Sequence, residues 1–185
     1  MTGTALLVMD VQESIVARFP HPDLLKRLRG AIDAARAAGL PIIYVVIGFR
    51  PGAPEISSRN QAFRAVATRM AGRPDEIPPN EIHPDVAPAP GDVVVTKRRV
   101  SAFTGSDLEV VLRSQGIDHL VLTGIATSGV VLSTLREAAD LDYRITVLAD
   151  CCHDNDPEVH RVLLEKVFPR QATVTTSELF LQGVD

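Results

Sequence analysis

The sequence contains no tryptophan and only two cysteines, Cys151 and Cys152, which are adjacent. Neighbouring cysteines do not make a disulfide framework, which argues against a stapled scaffold and a disulfide-dependent core. No apolar run approaches the roughly 18 residues that a membrane helix needs. The run Ala5–Met9 is too short for a secretory signal and lacks a basic lead-in. A cytoplasmic protein with no membrane partner is therefore expected. Basic residues are not in excess, since 19 Lys and Arg face 23 Asp and Glu for a net charge of −4. Aromatic residues make up only 4%, with no basic stripe interleaved among them. Nucleic acid is thus not an expected partner. His21, His83, His119, His153 and His160 show neither i,i+4 pairing nor D-x-H spacing. No bound metal is expected.

What is present is a well-supplied core: 45% of the 185 residues are hydrophobic. That suits one domain over residues 1–185 burying most of its unfolded surface. Ala5–Met9 is a continuous apolar run, as expected of a strand covered on both faces. From Asp23 to Ala38, residues Leu25, Leu28, Ile32 and Ala35 form one helical face, and Gly39 then Pro41 end it. Pro41–Ile47 reads as a second buried strand, so strand, helix and strand follow with short joints, the pattern of a parallel βαβ unit. Gly48–Ser58 reads as a loop, Asn60–Ala71 as a helix and Pro74–Gly91 as an irregular connector. Further strands are predicted at Asp92–Thr96, His119–Thr123, Arg144–Ala149 and Ala172–Thr175. Between them lie a helix opened by a Ser106/Glu109 capping box, a helix over Ser128–Leu141 and one over Pro157–Val167. Ser177–Leu181 reads as a last helical turn. Six strands alternating with helices predict a Rossmann-like three-layer αβα sandwich around a mainly parallel sheet.

In such a sheet, ligands sit beyond the carboxyl ends of the strands. Three predicted strand ends carry chemistry. The first strand leads into Asp10, the third into Lys97, and the fourth into the sharp turn Gly124-Ile125-Ala126-Thr127. A carboxylate beside a lysine is held ionised while burial pushes its pKa upward, and such a pair can relay a proton. Asp10 is equally suited to capping a helix that begins at Gln12. Small residues at the turn, with Gly129 following, let a substrate oxygen approach backbone N–H groups. Phe49 and Arg50 close the second strand in the same layer, and a guanidinium there is suited to a forked grip on a carboxylate. Arg99 and Phe103 lie between Lys97 and the next helix, placed to line a pocket, although a phenylalanine in that position is more often core. Val130 and Val131 are hydrocarbons and can only shape a pocket wall.

The stretches LLVMDVQ (6–12) and VVTKRRVSAFTGSDLEVVLRSQGIDHLVLTGIATS (94–128) resemble the isochorismatase-like hydrolases, which include nicotinamidases, N-carbamoyl amidohydrolases and isochorismatases. The resemblance covers nearly the whole chain. It implies the sandwich read above, a catalytic aspartate at Asp10 and a catalytic lysine at Lys97. It also implies a non-proline cis peptide at Ile125–Ala126 and assembly as a homodimer or larger homo-oligomer. In the cysteine hydrolases of this superfamily the turn resembles G-V-A-T-D-V-C-V. Set against Gly124-Ile-Ala-Thr-Ser-Gly-Val-Val131, the nucleophile position falls on Val130. The superfamily's D-x-H metal cluster after the second strand is replaced by Gly48-Phe49-Arg50. The expectation is a cofactor-independent hydrolase of a small organic molecule, without a covalent cysteine intermediate. The alternatives are a small-ligand-binding protein that turns nothing over, or an amidohydrolase whose nucleophile has moved to Ser128 or Cys151.

Overall fold

A computed structural model describes residues 3–71 and 81–182. Six parallel strands form one sheet: β1 Gly3–Met9, β2 Ile42–Ile47, β3 Val93–Lys97, β4 Ile117–Ile125, β5 Arg144–His153 and β6 Thr173–Thr175. Their order is β3-β2-β1-β4-β5-β6. The order reverses between β1 and β4, the switch point beside which doubly wound sheets bind ligands. Alternation along β1 explains the three layers. Ala5, Leu7 and Met9 join one core with Ile43, Val45, Leu120 and Leu122, while Leu6 and Val8 join another with Ile42, Tyr44 and Val121.

Helices cover both faces. Short α1 (Glu13–Val16) and α2 (Leu24–Ala37) lie on the second core, with Leu24, Leu28, Ala31, Ile32 and Ala35 buried. Gly39, at φ 71°, ends α2 in a Schellman motif: its N–H bonds to the Arg36 carbonyl at 3.0 Å and that of Leu40 to Ala35 at 2.9 Å. α3 (Gln61–Ala71) begins after Asn60, whose side chain accepts the Phe63 N–H. α4 (Leu108–Ser114) and α5 (Leu132–Asp140) cover the first core. α6 (Pro157–Val162) starts as expected from its sequence, with the Asp156 carboxylate accepting from the Glu158 and Val159 amides. α7 (Ser177–Gln182) follows β6, and its first residue donates both N–H and hydroxyl to Asp150.

Several boundaries differ from the sequence reading. The Ser106/Glu109 capping box does not form. The Ser106 oxygen does accept the Leu108 N–H at 3.2 Å while its hydroxyl donates to the Ala102 and Phe103 carbonyls, but Glu109 pairs with Arg113 one turn on. The predicted helix over Pro157–Val167 widens to a π-helical turn at Leu163–Val167. β5 runs past Ala149 to His153 because its pairing with β4 jumps from Leu122↔Val147 to Gly124↔Cys152. Both cysteines thereby fall within the strand. Part of the connector predicted from Pro74 to Gly91 lies outside the described residues; the remainder holds a short helical turn at Pro84–Val86. Among the described residues, no helix is long and apolar enough to cross a membrane.

Candidate active site

Asp10 follows directly on β1, beside the switch point. Its N–H still bonds to Val45 of β2 at 2.8 Å, but its φ of 55° turns the chain out of the sheet. Aspartate tolerates this left-handed conformation better than a branched residue does. Lys97 ends β3, two strands away, in register with Ile47. Its side chain crosses the end of β2 and brings Nζ to 2.9 Å from Asp10 Oδ2. The same ammonium donates to the Arg99 and Val100 carbonyls at 2.9 and 3.0 Å. Three protons therefore meet three acceptors, which holds the lysine in one place.

The pair is buried, Lys97 being 1% exposed and Asp10 7%. Asp10 Oδ1 is buried without a hydrogen-bond partner. Burial raises the Asp10 carboxyl to about 6 against the pull of Lys97 and the Ile47 backbone. A carboxyl at that value is ionised at neutral pH yet takes up a proton readily. Asp10 is not a helix cap: Gln12 occupies the N-cap position of α1, which takes no side-chain cap. Gln12 instead extends the sheet, its amide accepting from Ile47 N at 2.9 Å and donating to Ile47 O at 3.2 Å.

The turn after β4 is the other wall. At Gly124 (φ 134°) a side-chain carbon would lie 2.1 Å from the Met9 carbonyl oxygen, so only glycine lets β4 lie this close to β1. The Ile125–Ala126 peptide is cis. Thr127–Val131 then forms a π-helical turn instead of the start of a regular helix, with Gly129 at φ −99°, ψ −106°. The amides of Gly129 and Val131 both reach the Ala126 carbonyl, at 3.0 and 3.3 Å. The Ser128 amide and hydroxyl both donate to Asp154, at 2.8 and 2.6 Å, and the Thr127 hydroxyl meets His160 Nδ1 at 2.8 Å. Burial opposes the Asp154 charge, but the two Ser128 bonds outweigh it and hold this carboxyl below its ordinary value. Asp154 and His160 thus hold the turn from the side of β5 and α6, a role the sequence reading did not assign them. Val130 is buried and places only methyl groups at the turn.

The remaining candidates separate. Phe49 stands edge-on to Phe63 at 5.6 Å between ring centroids, and Phe103 is buried against Tyr143. Arg50 and Arg99 meet on the loop residue Glu55, Arg50 at its carboxylate and Arg99 at its backbone carbonyl. Cys151 and Cys152 are buried, and burial pushes both thiols upward, Cys151 to about 12. Among the described residues, no three His, Cys, Asp or Glu side chains come together to hold a metal ion.

The family model of the isochorismatase domain matches residues 4–179 of this sequence. The chain belongs to the isochorismatase family. Ureidoacrylate amidohydrolase RutB of Stutzerimonas stutzeri (strain A1501) is 34% identical over 203 residues, covering 98% of this chain and 78% of its own length. An isochorismatase-family protein from Burkholderia thailandensis superposes with a TM-score of 0.79 at 32% identity, over 95% of this chain and 92% of its own. N-carbamoylsarcosine amidase from Thermoplasma acidophilum superposes with a TM-score of 0.74 at 30% identity, over 96% and 98%. The protein is a hydrolase with an α/β fold, acting on small-molecule substrates.

Proposed function

We propose that this protein hydrolyses an amide or N-carbamoyl bond in a small organic molecule, with water rather than a cysteine as the nucleophile. The observation that carries the reading is the buried Asp10–Lys97 contact of 2.9 Å beside a turn whose central side chain is Val130. The bond class follows the named relatives, an amidohydrolase and an amidase. Asp10 takes a proton from water as its oxygen adds to the substrate carbonyl. Lys97 steadies the carboxylate, and the Ala126 and Val130 amides donate to the developing oxyanion. Collapse of the tetrahedral intermediate breaks the C–N bond, and the amine leaves with the proton that Asp10 holds. Cys151 is a weaker candidate for the nucleophile, being buried within β5 with its thiol pushed up to about 12 by that burial. Ser128 is likewise a weaker candidate, because the group its hydroxyl meets is Asp154, a carboxyl held below its ordinary value and so a weak base.

The test is a panel of amides, N-carbamoyl compounds and vinyl ethers, offered to the wild type, Asp10→Asn and the Cys151→Ala/Cys152→Ala double variant. Turnover of the first two classes by the wild type and the cysteine variant, lost in Asp10→Asn, is the expected result. Retained turnover in Asp10→Asn refutes the mechanism. A second reading rests on the methyl groups of Val130, namely a ligand-binding protein on a hydrolase scaffold. Tight binding of one panel member with no product would establish it.

A further inference from the structure

Lys97 owes its place to a stretch outside the sheet. Its ammonium is held by the Arg99 and Val100 carbonyls at 2.9 and 3.0 Å, and both belong to the loop that leads from β3 to α4. The loop lies beyond the β3 ladder, so other contacts must keep its carbonyls within reach of a long, flexible side chain. On one side Arg98 and Arg99 anchor it to the Gly48 and Glu55 carbonyls. On the other it is tied to α5. The Ala102 N–H donates to the Thr134 hydroxyl oxygen at 2.9 Å, and the Thr104 hydroxyl donates to Glu137 at 3.0 Å. Thr134 and Glu137 stand three residues apart and share one face of the helix. The Glu137 tie is exposed, whereas Ala102 and Thr134 are both fully buried.

The choice of threonine is informative. Val130, Val131, Leu135 and Ala138, its neighbours along the chain, belong to the first core together with Ala102 and Phe103. A valine would fill nearly the same space there and differ in the hydroxyl alone. Burying a hydroxyl costs free energy unless it is bonded, and the bond this one makes is to a loop 32 residues away in sequence. α5 is also the helix into which the Thr127–Val131 turn runs. Thr134 stands about one helical turn beyond Val130. One rigid element therefore carries the turn and, through Thr134, the loop that places the lysine.

We infer that Thr134 is a positioning residue for Lys97: through the Ala102 amide it sets the Arg99 and Val100 carbonyls, and so fixes the ammonium against Asp10 and at a set distance from the turn. The inference rests on the roles proposed above for Lys97 and the turn in hydrolysis. The effect of Thr134 on the reaction passes wholly through Lys97.

The experiment follows the Asp10 carboxyl by carbon NMR titration in the wild type, Thr134→Val and Thr134→Ser. Alongside, kcat and KM are measured on the panel of amides and N-carbamoyl compounds. Among the described residues the charge acting on Asp10 is that of Lys97, so the Asp10 midpoint reports how firmly the ammonium is held. Thr134→Val keeps the packing and leaves the Ala102 N–H without its acceptor. Its Asp10 midpoint should rise by about 0.5–1 unit, part of the roughly 1–3 units that full loss of a neighbouring cation gives. Its kcat should fall about tenfold or more, as expected when a catalytic group is misplaced, while KM changes little. Thr134→Ser keeps the hydroxyl and should hold both near the wild-type values. In a Lys97→Met background Thr134→Val should add no further shift, because the ammonium through which it acts is gone. An unmoved midpoint in folded Thr134→Val overturns the inference, as does an equal shift in the Lys97→Met background. So does a Thr134→Ser protein that titrates like Thr134→Val. Should Thr134→Val fail to fold, Thr134→Cys, a weak acceptor close to serine in shape, is held to the same criteria. A raised midpoint in Thr134→Val with no turnover by the wild type would leave the positioning role standing and remove the hydrolysis reading. Turnover with the midpoint unmoved would do the reverse.

Discussion

Replacing Lys97 by methionine keeps the length of the side chain and removes the ammonium that lies 2.9 Å from Asp10. In the wild type, burial and Lys97 oppose one another, and the carboxyl sits at about 6. An acid with that value is about nine-tenths ionised at pH 7, so the acid limb of kcat/KM should have its midpoint near 6. A cation this close lowers a carboxyl by about 1–3 units, so its loss should raise Asp10 to about 7–9. The ionised fraction at pH 7 then falls to between about one half and about one hundredth, a loss of roughly twofold to a hundredfold by titration alone. The sign distinguishes this from simple damage: a base that has become harder to ionise recovers as pH rises, so the variant should regain activity above its new midpoint. The plateau it reaches reports how much charge stabilisation Lys97 supplied beyond setting that midpoint. The assay is the pH profile of kcat/KM from 5 to 10 for both proteins, with a carbon NMR titration of the Asp10 carboxyl as a readout independent of turnover. An Asp10 midpoint in Lys97→Met at or below that of the wild type would refute the reasoning. A wild-type midpoint near 4 would refute it as well.

Three further outcomes follow from the site. Gly124→Ala forces a carbon to within 2.1 Å of the Met9 oxygen at positive φ, and should destabilise the fold by more than about 4 kcal/mol, measured by urea denaturation. Asp154→Ala removes the acceptor of both Ser128 bonds and should lower stability by about 1–3 kcal/mol. Asp154→Asn, which keeps one accepting oxygen, should recover part of that loss in thermal melts. Cys151 and Cys152 are buried with their thiols pushed upward, so the folded protein should give no iodoacetamide adduct by mass spectrometry, while the urea-unfolded chain takes up two. An adduct on Cys151 or Cys152 in the folded wild type would contradict the burial described here.

Elements that depend on neighbouring residues were legible in the sequence. The apolar run before Asp10, the helical face ending at Gly39 and the Asp156-Pro157 helix start all stand as read, because periodicity, capping and turn chemistry act within a few residues. The six-strand α/β architecture follows from their alternation, and Asp10, Lys97 and the Gly124 turn stood out as strand ends. Tertiary structure decided whatever depends on residues distant in sequence. Lys97 reaches Asp10 only because β3 lies two strands from β1. The widening of the turn at Thr127–Val131 is not written in its small residues. Gln12, Glu55, Asp154 and His160 are ordinary polar residues in the sequence. Their partners lie across the fold, on Ile47, on Arg98 and Arg99, on Ser128 and on Thr127. A side chain that crosses between elements leaves no periodic trace in the sequence, because its partner is set by how the sheet is wound and not by spacing along the chain.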